Sequence, residues 1–255
     1  MSKYLYQYKP QGATISVLYA WFEAMHTRID MVVCDLMELK SIELCDLAYE
    51  EIQRISSVMN RFDPASELSN LNLCASTQYI KVSDDLFHVI KYAKESFSKT
   101  NGSFDITVHS KNDFTGGIDC IEMVEKYRSI RYSHPDVQID LGGIAKGYAL
   151  DRVVKIMLGN EVEHFLLNFG NSSIASHGNN PTGKGWKISL KDGGESYELH
   201  DEFLTVSGNN TGERKHILNP QTRKYVEGKM ELAVVTSTGI EGEVLSTTKC
   251  ILPLR

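Results

Sequence analysis

The stretch Asp140-Leu-Gly-Gly-Ile-Ala-Lys-Gly-Tyr-Ala-Leu-Asp151 gathers glycines, a lysine and two carboxylates into one short segment. Val137-Gln-Ile-Asp before it alternates apolar and polar residues, as a short strand does. After it, Ala145, Ala149, Val153, Ile156 and Met157 recur at helical spacing, and Gly159 stands where a helix C-cap glycine belongs. The spacing therefore predicts a strand, a tight Gly142-Gly143 turn and a helix. Glycines let the backbone approach a ligand closely. The unpaired N–H groups and dipole of a helix start favour an anion such as a phosphate, and Lys146 in the first turn adds charge. Taken alone, the segment reads equally well as a plain turn that binds nothing, because short glycine patterns are common.

Two further sets of residues have the types for phosphate chemistry. Glu243 and Thr247 are four apart, so on a helix their oxygens share one face. A carboxylate with a hydroxyl is a hard-oxygen pair suited to Mg²⁺, which keeps waters and binds substrate phosphates. Alone, such a pair is more often a solvated helix face. His216 precedes Ile217-Leu-Asn-Pro220, a turn-forming run, and a histidine near neutral pKa can take a proton from a hydroxyl. A structural turn histidine is the plainer reading. The other seven histidines have no supporting context in the sequence.

Elements must hold these residues in place. Ile15–Phe22 and Thr27–Cys34 are β-prone runs expected to pair antiparallel. Met37–Met59 predicts a long amphipathic helix, broken at Asp63-Pro64, and Ser83-Asp84-Asp85 starts another with Leu86, Val89, Ile90, Ala93 and Phe97 inward. Between them, Asp63–Asn72 reads as a polar segment. Gly102–Val108 reads as a turn into a strand, and His109–Asp136 as weak signals for a helix and connection. Phe165–Gly170 reads as a buried strand, and Asn171–Gly185 as a loop. Trp186–Leu190, Tyr197–Leu199 and Phe203–Val206 read as a meander turning at Asp192-Gly-Gly. Ala233–Thr236 reads as a strand and Glu241–Ile251 as a terminal helix. No repeat or linker interrupts this order. The expectation is one α+β unit over 1–255, with mixed and antiparallel strands and packed helices.

Composition narrows the partners. The 255 residues are 42% hydrophobic and 24% charged, ordinary for a globular protein. A net charge of −6 leaves no broad basic field for nucleic acid, so phosphate binding must be local. The five cysteines are scattered without a Cys-x-x-Cys spacing, which suggests reduced, mostly buried thiols. No run approaches the roughly 18–20 apolar residues that span a bilayer. The opening residues Met1–Pro10 hold no apolar signal region and no lipid-attachment cysteine. As written, the sequence reads as cytoplasmic; the trimmed start of an exported protein would read the same.

Five islands now stand in order: Ala24-Met-His-Thr27, Ser66-Glu-Leu-Ser-Asn-Leu-Asn72, Gly102-Ser-Phe-Asp105, Asp140–Asp151, and the C-terminal pair of Ser207-Gly-Asn with His216–Pro220 and Glu243-Val-Leu-Ser-Thr247. Their content and order resemble the ApbE family of flavin transferases, from about Met25 to Thr247. The strongest match is Asp-Leu-Gly-Gly-Ile-Ala-Lys-Gly-Tyr-Ala-x-Asp followed by Arg-Val.

The resemblance implies a T-fold-related ApbE architecture and an FAD site. Met25, Phe62 (often Tyr in the family), Ser103, Phe104 and Asp105 would line the flavin nucleotide. Asp140, Lys146 and Ile217 would contact FAD. The Gly143 carbonyl, Glu243 and Thr247 would hold Mg²⁺, and His216 would be the catalytic base. The implied reaction moves FMN from FAD to a Ser or Thr hydroxyl of an acceptor flavoprotein and releases AMP. No flavinylation motif stands in this chain, so the acceptor is another protein. With water as acceptor the same site would hydrolyse FAD to FMN and AMP, and a degenerate site would only bind FAD.

Four departures from the family pattern mark where to look. Glu243 replaces the usual Asp, Asn219 the Asp of His-Ile-x-Asp-Pro, Asn171 a glycine, and His26 the glycine of Ala-Met-Gly-Thr. The connection from Val108 to Asp140 is also short for the family.

Overall fold

The computed structural model describes residues 3–10, 12, 15–190, 195–209, 217–227 and 230–252. In chain order its strands are β1 (Leu5–Lys9), β2 (Val17–Ala24), β3 (Thr27–Cys34), β4 (Ile80–Lys81), β5 (Ile121–Val124), β6 (Ser129–Tyr132), β7 (Phe165–Phe169), β8 (Ser173–His177), β9 (Trp186–Ser189), β10 (Ser196–Leu199), β11 (Phe203–Asn209) and β12 (Met230–Thr236). The α-helices are α1 (Glu38–Met59), α2 (Glu67–Cys74), α3 (Asp84–Lys99), α4 (Ala145–Gly159) and α5 (Gly239–Ile251). Backbone contacts divide the chain into two compact units. One takes Met1–Gln53, Lys146–Val206 and Ala233–Gly242, and the other takes Arg54–Ala145, Ser207–Leu232 and Glu243–Arg255.

The first unit is organised by a seven-stranded sheet in the order β1-β2-β3-β7-β8-β11-β12. The expected hairpin of β2 and β3 forms, with Ala24 opposite Thr27 and Val17 opposite Cys34. Period-2 alternation buries Leu18, Ala20, Phe22, Ile29, Met31 and Val33 on one face. Helix α1 meets that face through aromatic rings: Tyr49 sits edge-on to Phe22, centroids 5.0 Å apart, and Tyr4 donates to the Ile42 carbonyl at 3.1 Å. A second core cluster joins Ile174, Leu204 and Val206 to Leu199 of β10, with Ile188 and Tyr197 of the β9–β10 hairpin packed on it.

Two strand expectations in this unit change. Asn171–Gly185 is not all loop, because it contains β8, whose buried residues include Ser173 and Ser176. Small hydroxyl side chains inside a sheet leave no apolar pattern to read. The three-stranded meander also does not form. β9 pairs with β10, but β11 leaves to pair antiparallel with β8. The expected turn at Asp192-Gly-Gly lies outside the described residues. Helix α4 does run to Gly159, yet its left-handed stop falls at Glu161, φ 58°, where the Val162 N–H reaches the Met157 carbonyl at 3.1 Å.

The second unit holds α2, α3 and a small antiparallel sheet in the order β4-β6-β5. The polar segment after Pro64 contains α2, too short for periodicity to announce it. Ser66 caps this helix by accepting the Ser69 N–H at 3.0 Å, and Ser83 caps α3 by accepting the Leu86 N–H at 3.3 Å. The Glu67 carboxylate accepts the Ser83 N–H, so the two helix starts are tied together. His109–Asp136 holds β5, β6 and short 3-10 turns rather than an α-helix, and Gly102–Val108 is a series of turns with no strand.

Val137–Asp140 belongs to no strand either. Its order comes from one side chain. Asn72, the last residue of its island, donates to the Ile139 carbonyl at 2.9 Å and accepts the Ile139 N–H at 2.8 Å, and Tyr132 donates to the same amide oxygen at 3.1 Å. The amide thus does what a neighbouring strand would do. No strand–helix–strand unit exists here, and the glycine turn is aimed by a side-chain clamp. Asn72→Ala leaves both Ile139 groups without that partner and is expected to destabilise the protein by about 1–3 kcal/mol in urea unfolding. A loss below about 0.5 kcal/mol would show the clamp to be dispensable.

Candidate functional site

In the second unit, the Asp140 carboxylate is the meeting point of three segments. Its Oδ1 accepts the Gly142 N–H at 2.8 Å, folding Asp140–Gly142 into an Asx turn. Its Oδ2 accepts from Arg61 Nη1 at 3.0 Å, an ion pair with about a fifth of each side chain exposed. His109 Nε2 stands 3.9 Å from the same oxygen. The Asp140 N–H donates to the Ile106 carbonyl at 2.8 Å. Gly142 and Gly143 are exposed, and α4 begins two residues later. An exposed turn ahead of a helix start suits an anion.

Gly102–Asp105 packs beside this turn. Gly102, φ 76°, follows α3 and its N–H reaches the Phe97 carbonyl at 2.9 Å. Phe104 is buried, and a Cβ on Gly143 would lie 3.8 Å from its ring, so ring and turn are neighbours. Among the described residues, the buried Ser103 hydroxyl finds no hydrogen-bond partner. Asp105 Oδ1 accepts from the Thr107 N–H at 2.7 Å and the Thr107 hydroxyl at 2.6 Å. Burial raises the Asp105 pKa, and the Thr107 hydrogen bonds oppose it.

Phe62 is 75% exposed, with the Arg61 guanidinium 5.4 Å from its ring centre. The two line a cavity of about 310 Å³ with Pro64, Ser69, Asn70 and Leu73, the last also 78% exposed. Exposed aromatic and aliphatic side chains beside a cation can take a ring system.

Ile217 is buried at the base of a loop closed by the Leu218–Tyr225 bridge and the Val226 N–H on the Ile217 carbonyl at 2.8 Å. That loop is latched to the Asn101–Asp113 region. Arg223 donates to the Val108 carbonyl and lies 3.4 Å from Asp113, and Gln221 donates to the Asn101 carbonyl at 3.2 Å. His216, the expected base, lies outside the described residues.

Glu243 is 4% exposed and Thr247 half-buried, one turn apart on α5. The Ser246 hydroxyl between them pairs with that of Ser207 at 2.8 Å, joining two residues of the expected C-terminal island. A buried carboxylate and a hydroxyl one turn on fit a hard cation that draws its other ligands from carbonyls, waters and phosphates. Among the described residues, no three His, Cys, Asp or Glu gather into a cluster that could hold a metal.

Met25 and Lys146 belong to the first unit. Met25 (φ 50°) and His26 (φ 59°) form the two-residue β2–β3 turn, which requires left-handed backbone at both positions. The Gly170 turn presses on it. A Cβ on Gly170 (φ 67°) would lie 2.0 Å from Thr27 Oγ1, and the Gly170 N–H donates to the Arg28 carbonyl at 2.8 Å. Lys146 sits in the first turn of α4.

The sequence profile of the ApbE family matches residues 25–255. The chain belongs to the ApbE family. It is similar to an FAD:protein FMN transferase of Chlamydia pneumoniae, 26% identical over 204 residues that cover 68% of this chain and 64% of that protein. A Chlamydia trachomatis protein of the same description is 26% identical over 215 residues, covering 71% and 66%. The chain thus spans just under two thirds of the length of these curated relatives. Among solved structures, flavin transferase ApbE from Vibrio cholerae matches with a TM-score of 0.82 at 20% identity, over 93% of this chain and 87% of that one. The ApbE protein from Thermotoga maritima matches with a TM-score of 0.81 at 22% identity, over 96% and 87%. The mixed α+β fold with antiparallel sheets is the ApbE fold.

Three of the four departures from the ApbE pattern have a local structural answer. His26 and Asn171 stand in left-handed backbone (φ 59° and 56°), and His and Asn are among the non-glycine residues that adopt it most readily. Asn168 and Asn171 also hold each other, at 2.7 and 2.8 Å. Asn219 uses its amide oxygen to accept the Gln221 and Thr222 N–H groups at 2.9 and 3.1 Å, the turn-capping service a carboxylate would give.

Sequence reasoning passed over Arg61, Asn72, His109 and Arg223. Arg61 adjoins a residue that was singled out, and Asn72 ends a singled-out island. His109 lies in the stretch without signals, and its context is entirely tertiary. Burial lowers the His109 pKa, the Asp140 charge opposes this, and Arg61 and Arg223 add to the lowering. The native state then takes up a proton less readily than the unfolded chain. Stability from this group is present above the unfolded value of about 6.5 and is lost as pH falls through the lower folded value. The melting temperature is expected to fall between about pH 7 and about pH 5, with a shallower fall in His109→Gln. Equal slopes in both proteins would contradict the assignment.

Proposed function

We propose that this chain transfers FMN from FAD to a Ser or Thr hydroxyl of a partner protein, releasing AMP, with Mg²⁺ at Gly143, Glu243 and Thr247. The observation that carries the reading is the Asp140-fixed glycine turn ahead of α4, beside Phe104 and within one unit with Phe62 and Ile217. It is the element that can hold a pyrophosphate, and the ApbE relatives named above are described as FAD:protein FMN transferases.

In this reading the turn and the start of α4 receive the pyrophosphate, with Lys146 adding charge. Phe62, Ser103, Phe104 and Asp105 line the nucleotide, and Asp140 and Ile217 contact it. Mg²⁺, when bound, supplies charge neutralisation on the phosphate oxygens. His216 takes the proton from the acceptor hydroxyl as the new phosphoester forms and AMP leaves. The acceptor is a separate flavoprotein with a Ser or Thr flavinylation site.

The test is to incubate the protein with FAD, Mg²⁺ and a candidate acceptor carrying such a site, then follow acceptor mass, in-gel fluorescence and AMP. Covalent FMN on the acceptor with stoichiometric AMP is the expected result. AMP without modified acceptor would replace transfer by FAD hydrolysis, and tight FAD binding without AMP would leave a binding protein.

Two variants examine the roles. Glu243→Gln is expected to raise the Mg²⁺ concentration for half-maximal AMP release at least about tenfold; an unchanged Mg²⁺ dependence would remove Glu243 from the metal site. His216→Ala is expected to lower turnover by about 10²–10⁴-fold with little change in FAD affinity. Lost affinity at unchanged turnover would contradict its role as base.

A further inference from the structure

We infer that Arg61 is a positioning residue for the nucleotide, acting through the Asp140 carboxylate rather than through a contact of its own. The inference rests on the proposed FAD site and assigns a role to a side chain that this site did not include.

Asp140 has two oxygens and two different tasks. Oδ1 shapes the glycine turn through the Gly142 N–H, and Oδ2 is held by Arg61. The backbone leading into Asp140 is fixed, by the Ile106 carbonyl on the Asp140 N–H and by Asn72 on Ile139. The remaining freedom is rotation of the carboxylate itself. One hydrogen bond at Oδ1 leaves that rotation soft. A guanidinium on Oδ2, in a pair about four-fifths shielded from water, stiffens it. The contact runs through Nη1 at 3.0 Å, and the guanidinium plane can also lie over the Phe62 ring, which the compact ammonium of lysine does less well.

Arg61 is itself confined. It follows α1, its guanidinium lies over the Phe62 ring, and both line the 310 Å³ cavity. One side chain thus sets the rotation of the turn-forming carboxylate and backs the aromatic ring proposed to meet the flavin. His109, 3.9 Å from Oδ2, does not replace it, since burial and the neighbouring cations disfavour its charged form.

A double-mutant cycle on FAD affinity tests this. Arg61→Met and Asp140→Asn are each expected to weaken FAD binding by about tenfold, and the double variant by about tenfold again in total, not a hundredfold. Arg61→Lys should recover part of the loss. Turnover at saturating FAD should change less than about twofold in Arg61→Met, because a positioning role in binding moves affinity first. Additive losses would show that Arg61 acts independently of Asp140, and unchanged affinity in Arg61→Met would remove its role altogether. Either result overturns the inference while leaving the flavin site standing. A folded wild-type protein that binds no FAD would overturn both. Where Arg61→Met lowers the melting temperature severely, Arg61→Ala, which likewise removes the guanidinium, serves in the same cycle.

Discussion

The glycine turn at Gly142–Gly143 depends on a carboxylate that it does not contain. Asp140 receives the turn on one oxygen and Arg61 on the other, while its own amide is held by the Gly102–Ser110 region. Three segments, far apart in sequence, therefore meet at one residue. A turn of this kind has few contacts of its own and would sample several shapes if left to its glycines. Here the conformational choice is made by a partly buried ion pair and by the Asn72 amide, which fixes the approach to the turn. Such pairing is a matter of geometry more than of net stability, because desolvation offsets much of the attraction.

The departures from the ApbE pattern fall into two groups once the backbone is known. His26, Asn171 and Asn219 occupy places where a glycine's left-handed freedom or a carboxylate's acceptor oxygen is needed, and each meets the need by other means. They are local substitutions within an unchanged architecture. Glu243 is different in kind. It is longer by a methylene than the usual acid and is buried on α5, so the position of its oxygens bears directly on any octahedral cation. The chemistry proposed here turns on that residue more than on the others.

Much of the frame was legible in the sequence. The buried faces of α1, α3 and α4 follow from apolar periodicity, the start of α3 from its cap, and the β2–β3 hairpin from two β-prone runs around a short turn, while α5 begins at Gly239, two residues before the expected start. What was not legible has physical reasons. Strand β8 is made partly of buried serines, and α2 is too short to show a period. The β11 strand leaves its hairpin neighbours for a distant partner, a choice no local pattern encodes. Val137–Asp140 alternates like a strand but is satisfied by a side-chain amide. The site divides in the same way. Its backbone-dictated parts, the glycine turn and the helix that follows, could be read from residue types. Arg61 and His109 could not, because their meaning lies in whom they meet across the fold.

The most direct test of the account is a crystal of the protein with FAD and Mn²⁺, examined by anomalous scattering. The expected result is the pyrophosphate against the Gly142–Gly143 turn, the Asp140–Arg61 pair intact, and one anomalous peak coordinated by the Gly143 carbonyl, Glu243 and Thr247. FAD bound away from the turn, or a metal peak that touches neither Glu243 nor Thr247, would contradict it.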